Sequence, residues 1–137
     1  MVRPGRLDGA DHEWATRHLL VGEAQLWEQM PVADQRHSVI VARRLVADGS
    51  GCCRDDVAAA LLHDIGKLRS CLGVWARVAA TVVGPRTRRF RLYHDHERLG
   101  AEMARTSGGS TARTVALIDG TSADTAVLAA LRHADDV

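Results

Sequence analysis

The chain has 137 residues, of which 46% are hydrophobic, and its formal net charge is +1. This length supplies one complete core and is too short for two ordinary domains. We therefore predict a single domain over residues 1–137, with a core over about 31–136 and a poorly ordered segment at 1–10. A nearly neutral chain lacks the clustered basic field that attracts nucleic acid or anionic membranes. We expect no nucleic-acid partner and no membrane partner, and the oligomeric state stays open.

The N-terminal residues 1–10 contain no apolar stretch typical of a signal peptide, and no run of eighteen apolar residues follows. We therefore expect a cytoplasmic protein. The three cysteines are an odd set, which suits reduced thiols better than a disulfide framework. A zinc site built on the adjacent Cys52 and Cys53 would lack the usual two-residue spacer.

Hydrophobic residues recur with a helical period along nearly the whole chain, without a convincing run of alternating β-branched residues. We predict an all-α fold, a compact helical bundle. In chain order, the predicted helices cover residues 11–27 (which Gly22 could break), 32–47, 55–64, 68–83, 95–106, 111–118 and 124–135.

Local signals mark several ends of these helices. Pro31 separates the first helix from the second, and the run at 48–51, with two glycines, ends the second. Asp55 or Asp56 is expected to cap the third helix, because a side-chain carboxylate there can accept a hydrogen bond from a free backbone N–H.

The run His63-Asp64-Ile65-Gly66-Lys67 is the most informative part of the sequence, since it pairs an imidazole with a carboxylate and contains the only lysine. His37 upstream, on the same helical face as Val41 and Leu45, and the acidic pair Asp135-Asp136 could complete a metal site. Two imidazoles and two carboxylates suit one borderline divalent cation: Mn, Fe, Co, Ni or Zn. Such a site keeps coordination positions for water and substrate.

Lys67 follows His63 by four residues and would lie on the same side if the helix continued. Its ammonium could then neutralise charge that develops on phosphoryl oxygens. The simpler alternative is that His63 and Asp64 only end a helix and that Lys67 interacts with the negative end of the helix dipole. The apolar run before the pair, together with His37 and Asp135, favours the metal interpretation.

With these motifs, the chain resembles the HD-domain superfamily of metal-dependent phosphohydrolases. The resemblance covers about residues 31–136, is most specific over 60–67, and implies an HD-type bundle. By position it implies His37, His63, Asp64 and Asp135 as metal ligands, with Asp136 as the alternative to Asp135. It also implies that Asp64 orients or activates the attacking water and that Lys67 contacts a substrate phosphate.

Relatives that bind two metals carry two further histidines. His96 matches one of them, in a His-x-x-x-Gly pattern that ends at Gly100, and His94 is its rival. Where the second would be expected the chain reads Ile118-Asp119-Gly120, and an aspartate before glycine is more often a turn residue than a ligand. We therefore predict one tightly held metal, with His96 nearby as a contact to water or substrate, or as a ligand of a second metal.

Four arginines surround Phe90 in the loop 86–91. Such a strip could bind phosphate, with Arg89 as the candidate, although charge runs are more often solvated surface loops.

These features predict a metal-dependent phosphohydrolase, with catalytic residues Asp64 and Lys67. Its substrate would be a small phosphorylated molecule, a phosphomonoester or phosphodiester such as a nucleotide. Two alternatives stay open: a non-catalytic helical binding or regulatory module that keeps a residual metal site, and a di-iron oxygenase of the HD type.

Overall fold

The computed structural model describes residues 6–49, 53–68 and 97–136. These residues are helical, without a strand among them, which confirms the all-α prediction. The elements are α1 (Gly9–Arg17), α2 (Val21–Glu28), α3 (Val32–Asp48), α4 (Arg54–Leu62), a 3₁₀ turn (Ile65–Leu68), α5 (97–106), α6 (Ala112–Asp119) and α7 (Thr125–Asp136).

The predicted first helix, 11–27, is two helices, and the break expected near Gly22 lies at residues 18–20. Leu20 is extended, and its N–H donates to the Glu23 carboxylate at 2.8 Å, which starts α2. α1 already begins at Gly9, so part of the segment predicted to be poorly ordered is helical. Trp27 on α2 is fully buried, so this N-terminal pair of helices contributes to the core.

The prediction for α3 is confirmed to within one residue at each end. Pro31 precedes its first residue, and Gly49 follows its last with φ of 82°. A left-handed φ of this kind is costly for residues with a Cβ, and it ends the helix. Val41 and Leu45 on this helix are fully buried.

α4 passes through the centre of the molecule, where Ala58 to Leu62 have no exposed surface. It begins at Arg54, after Cys53, so the predicted cap at Asp55 or Asp56 is wrong. Its small alanines let α3 and α6 approach closely. The helix ends at Leu62, earlier than predicted, and a 3₁₀ turn follows. The next predicted helix, 68–83, lies outside the described residues except for Leu68, which ends the turn.

The C-terminal helices close the bundle around α3 and α4. Gly100 on α5 meets the 3₁₀ turn so closely that a Cβ there would lie 3.1 Å from the backbone nitrogen of Gly66. Thr111 caps α6 by accepting from the Thr114 N–H at 3.3 Å. α7 packs on α3 with a buried stripe of Val127, Leu131 and Ala134. Within the described ranges, no helix has the length and apolar content needed to cross a bilayer.

Candidate metal centre

Four predicted ligands converge on one place in the fold. His37 lies on α3, His63 and Asp64 lie in the turn that follows α4, and Asp135 lies in the last turn of α7. Each residue offers one ligand atom, and these four atoms all lie within 4.8 Å of one another. The helix packing thus brings together residues that are up to 98 positions apart in the sequence.

Both imidazoles face the carboxylates with their Nε2 atom. Oδ1 of Asp135 lies 2.8 Å from Nε2 of His37 and 3.1 Å from Nε2 of His63. Oδ2 of Asp64 lies 3.3 Å from the same nitrogen of His63. All four ligand groups therefore face a common centre.

The other ring nitrogen of His63 is held by the backbone. Nδ1 of His63 lies 2.6 Å from the carbonyl oxygen of Ala60, the residue three positions earlier, at the end of α4. An Nδ1–H that donates to this carbonyl fixes the ring orientation and leaves Nε2 to bind a cation. Sequence reasoning missed this contact, because a backbone carbonyl has no signature in the residue type.

The cluster favours positive charge at its centre. Burial disfavours the imidazolium of His63, yet its contacts with Asp135 and Asp64 outweigh burial and raise the pKa of His63 to about 10. Burial also opposes ionisation of Asp64, but His63 and then Lys67 hold its pKa well below the usual range. The hydrogen bond from His63 lowers the pKa of Asp135 as well. Both carboxylates are thus ionised at neutral pH.

Lys67 reaches the cluster by a different route from the one predicted. α4 does not continue past Leu62, so Lys67 is not one helical turn beyond His63. The 3₁₀ turn instead brings its Nζ to 3.2 Å from Oδ2 of Asp64. The Lys67 side chain is 41% exposed, against 12% for His63, so the ammonium lies at the outer edge of the cluster.

The remaining predicted residues are either apart from the cluster or outside the described ranges. Asp136 is exposed on α7, and Asp119 ends α6 outside the group of four. His96, its rival His94 and Arg89 lie outside the described residues, and so does the whole loop 86–91. Cys53 is a free, exposed thiol, and Cys52 and Cys71 lie outside the described residues.

The donor set fits a divalent transition metal. Two imidazole nitrogens and two ionised carboxylates give the mixed N/O chemistry that Mn, Fe, Co, Ni or Zn accepts. Metal-binding imidazoles usually donate a hydrogen bond from the ring nitrogen that does not bind the metal, and the contact of His63 Nδ1 with the Ala60 carbonyl is of this kind. His37, His63, Asp64 and Asp135 would hold the ion.

Comparison with other proteins gives no relative for this chain. No family model, no curated protein and no solved structure matches it.

Proposed function

We propose that this protein is a metal-dependent phosphohydrolase of the HD type that acts on a small phosphomonoester or phosphodiester, with a nucleotide as the substrate class. The observation that carries the proposal is the convergence of His37, His63, Asp64 and Asp135 from three separate elements. A cluster that only ended a helix would not need His37 and Asp135 to meet across the bundle.

Ester hydrolysis adds the oxygen of water to phosphorus, breaks the bond to the leaving oxygen and passes one proton of the water to that oxygen, which departs as an alcohol. A bound divalent ion supplies a lowered pKa for the attacking water and neutralises phosphoryl charge. The ionised Asp64 accepts a hydrogen bond from that water and orients it. The ammonium of Lys67, at the outer edge, stabilises negative charge that develops on the phosphoryl oxygens.

The exposure of the side chains supports access of a substrate to the cluster. His63 is 12% exposed, whereas His37 is 42% and Lys67 is 41% exposed. His63 is thus the most enclosed of these three side chains, and the other two are accessible to solvent. A phosphate that approaches from solvent would meet Lys67 before it meets His63.

The test is hydrolysis by metal-stripped and Mn²⁺-loaded protein, with p-nitrophenyl phosphate, bis(p-nitrophenyl) phosphate and a panel of nucleotides. Asp135→Ala and Asp136→Ala are a matched pair, because the two carboxylates are adjacent but only Asp135 faces the cluster. We expect Asp136→Ala to keep metal binding and turnover and Asp135→Ala to lose both. Equal behaviour of the two variants would contradict the proposal.

The same measurements, repeated with iron-loaded protein, separate the two alternatives. Tight metal binding without hydrolysis of any ester would identify a non-catalytic module that uses the ion for structure. A visible absorption band that appears only with iron would favour the di-iron oxygenase.

A further inference from the structure

Arg44 on α3 makes a contact with the last turn of α7 that the mechanism above does not use. Its Nη1 donates to the backbone carbonyl of Ala134 at 3.1 Å, across 90 residues of sequence. Ala134 immediately precedes Asp135, so the guanidinium holds the backbone at the residue next to a proposed ligand. The contact is partly buried, which protects it from competition by water.

The last turn of a helix is where such support matters. The carbonyls of the last four residues of a helix have no N–H partner within it, and the turn frays unless another group binds them. Ala134 is one of these four residues in α7. A cation at a helix C-terminus is also favourable because of the helix dipole. Arg44 therefore holds the turn that carries Asp135.

Arg44 and His37 act from the same face of α3. They are seven residues apart, close to two full turns, so their Cα atoms lie on one face about 10 Å apart along the helix. Side chains on a helix lean toward its N-terminus, which directs Arg44 toward His37. Besides its apolar packing, α3 thus makes two hydrogen bonds to α7, through His37 to the Asp135 side chain and through Arg44 to the preceding carbonyl.

Only one of these two contacts can persist when a cation binds. The carboxylate of Asp135 must exchange its hydrogen bonds to the imidazoles for the ion, whereas the bond from Arg44 to Ala134 involves no ligand atom. We propose that Arg44 is a positioning residue that keeps the Asp135 turn in place for metal binding, an inference that rests on the proposed function. Its contribution is preorganisation, because a turn that is already ordered loses less entropy on binding.

If Arg44 acted only through its charge, its removal would strengthen metal binding, whereas a positioning role predicts weaker binding. Loss of a positive side chain near a cation site reduces repulsion and should tighten metal binding. Loss of positioning should weaken metal binding, by about tenfold if Arg44 behaves like other residues that hold a metal ligand in place. The sign of the change therefore separates the two effects.

The experiment is calorimetric titration of the full chain with Mn²⁺ alone, at a temperature well below the unfolding midpoint of every variant. Arg44→Met removes the donor and keeps the apolar stem, and Arg44→Lys keeps a cationic donor. Arg36→Met is the matched control, because Arg36 on the same helix also donates to a backbone carbonyl, but to that of Arg6 and not to one of α7. If circular dichroism shows that Arg44→Met is unfolded, Arg44→Gln, which lacks both charge and reach, takes its place.

We expect about tenfold weaker Mn²⁺ binding in Arg44→Met, recovery of most of that loss in Arg44→Lys, and wild-type affinity in Arg36→Met. Unchanged or tighter binding in Arg44→Met would overturn the inference and leave the proposed function intact. Equal weakening in Arg36→Met would overturn it as well, because the effect would not be specific to α7. A wild-type protein that binds no Mn²⁺ would overturn the proposed function and this inference together.

Discussion

The two ring nitrogens of His63 have different partners. Nδ1 is held by the carbonyl of Ala60 at 2.6 Å, and Nε2 faces the carboxylates of Asp64 and Asp135. This division suits a metal ligand better than a surface histidine, because the orientation of the ring no longer depends on the ligand that it binds.

His63→Ala should therefore abolish tight metal binding and leave helical content unchanged, since it removes a ligand and little core volume. We expect Mn²⁺ affinity to fall by more than about a hundredfold, beyond the range typical of outer-shell partners. His133→Ala, on the exposed side of α7, is the control and should bind as the wild type does. Metal content after dialysis measures the difference, and wild-type content in His63→Ala would refute the assignment.

Lys67 and the metal ligands should respond differently to mutation. The ammonium lies 3.2 Å from Asp64 and is proposed to act on phosphate charge. We expect Lys67→Ala to keep Mn²⁺ affinity within a few-fold and to lower kcat by roughly a hundredfold or more, as for loss of a transition-state donor. Lys67→Arg should keep part of the activity.

Steady-state kinetics at saturating Mn²⁺ test this prediction. An unchanged kcat in Lys67→Ala would remove Lys67 from the mechanism. Loss of the metal in that variant would instead make Lys67 a support for Asp64.

The proton on His63 gives the site a defined pH dependence. Its pKa is raised from 6.5 to about 10, so this proton stabilises the metal-free fold below pH 6.5, and the contribution is lost as pH rises toward about 10. A cation displaces the same proton, so Mn²⁺ affinity should rise with pH by up to about tenfold per unit through the neutral range. Calorimetric titration in buffers of different ionisation enthalpy measures the number of protons that Mn²⁺ binding releases. If no proton is released at neutral pH, this account is wrong.

At the scale of the elements, α2 is positioned by a buried carboxylate and by a close backbone approach. Glu23 has no exposed surface, and it accepts from Arg54 on α4 and from Ser110 as well as from the Leu20 N–H. Gly22 beside it lies against the turn after α5, where a Cβ would fall 2.5 Å from the Ser107 carbonyl oxygen and 2.8 Å from that of Gly108. Gly22 therefore does not break a helix but lets two elements touch.

Gly22→Ala should force α2 away from that turn, since both clashing atoms belong to the backbone. We expect a loss of about 2 kcal/mol or more in the free energy of unfolding. Gly9→Ala is the control, because a Cβ there meets nothing within 4 Å, and it should leave stability equal or up to about 1 kcal/mol higher. Urea denaturation measures the stability of both variants. Equal midpoints would contradict the prediction and show that the turn can move at little cost in free energy.

At the scale of the whole molecule, the cluster links elements from the middle and the end of the chain. α3, the turn after α4 and α7 each supply a ligand, and α4 is the buried centre on which they pack. A cation held by all three elements would bind the folded state far better than the unfolded chain.

Mn²⁺ should therefore raise the unfolding midpoint. At a free concentration a hundred times the dissociation constant, the gain is about 2.7 kcal/mol, or roughly 10 °C for a domain of this size. Asp136→Ala should show the full shift and Asp135→Ala none, in thermal scans with Mn²⁺ and after chelation. A shift of equal size in both variants would mean that the metal binds elsewhere.

The helical class, the ends of α3 and the residues of the cluster could be predicted from the amino-acid sequence. These features depend on signals within a turn or two: a helical period, a glycine after the last turn, and residue types that can bind a metal. The metal role of the cluster remains a prediction, but its four members could be named without the fold, with the choice of Asp135 over Asp136 implied by the resemblance to the HD-domain superfamily. Lys67 could be named as well, although the helix expected to carry it ends five residues earlier.

The exact place of the break before α2, the anchor of His63 and the support of Asp135 depend on contacts between distant elements. In the sequence Glu23 looks like an ordinary helical residue, and only the fold brings Arg54 and Ser110 to its carboxylate. The hydrogen bond from Arg44 to Ala134 likewise joins positions 90 residues apart. Such contacts arise when buried faces close on one another, and many use backbone carbonyls, which every residue has. Such contacts therefore cannot be predicted from residue type and spacing along the chain.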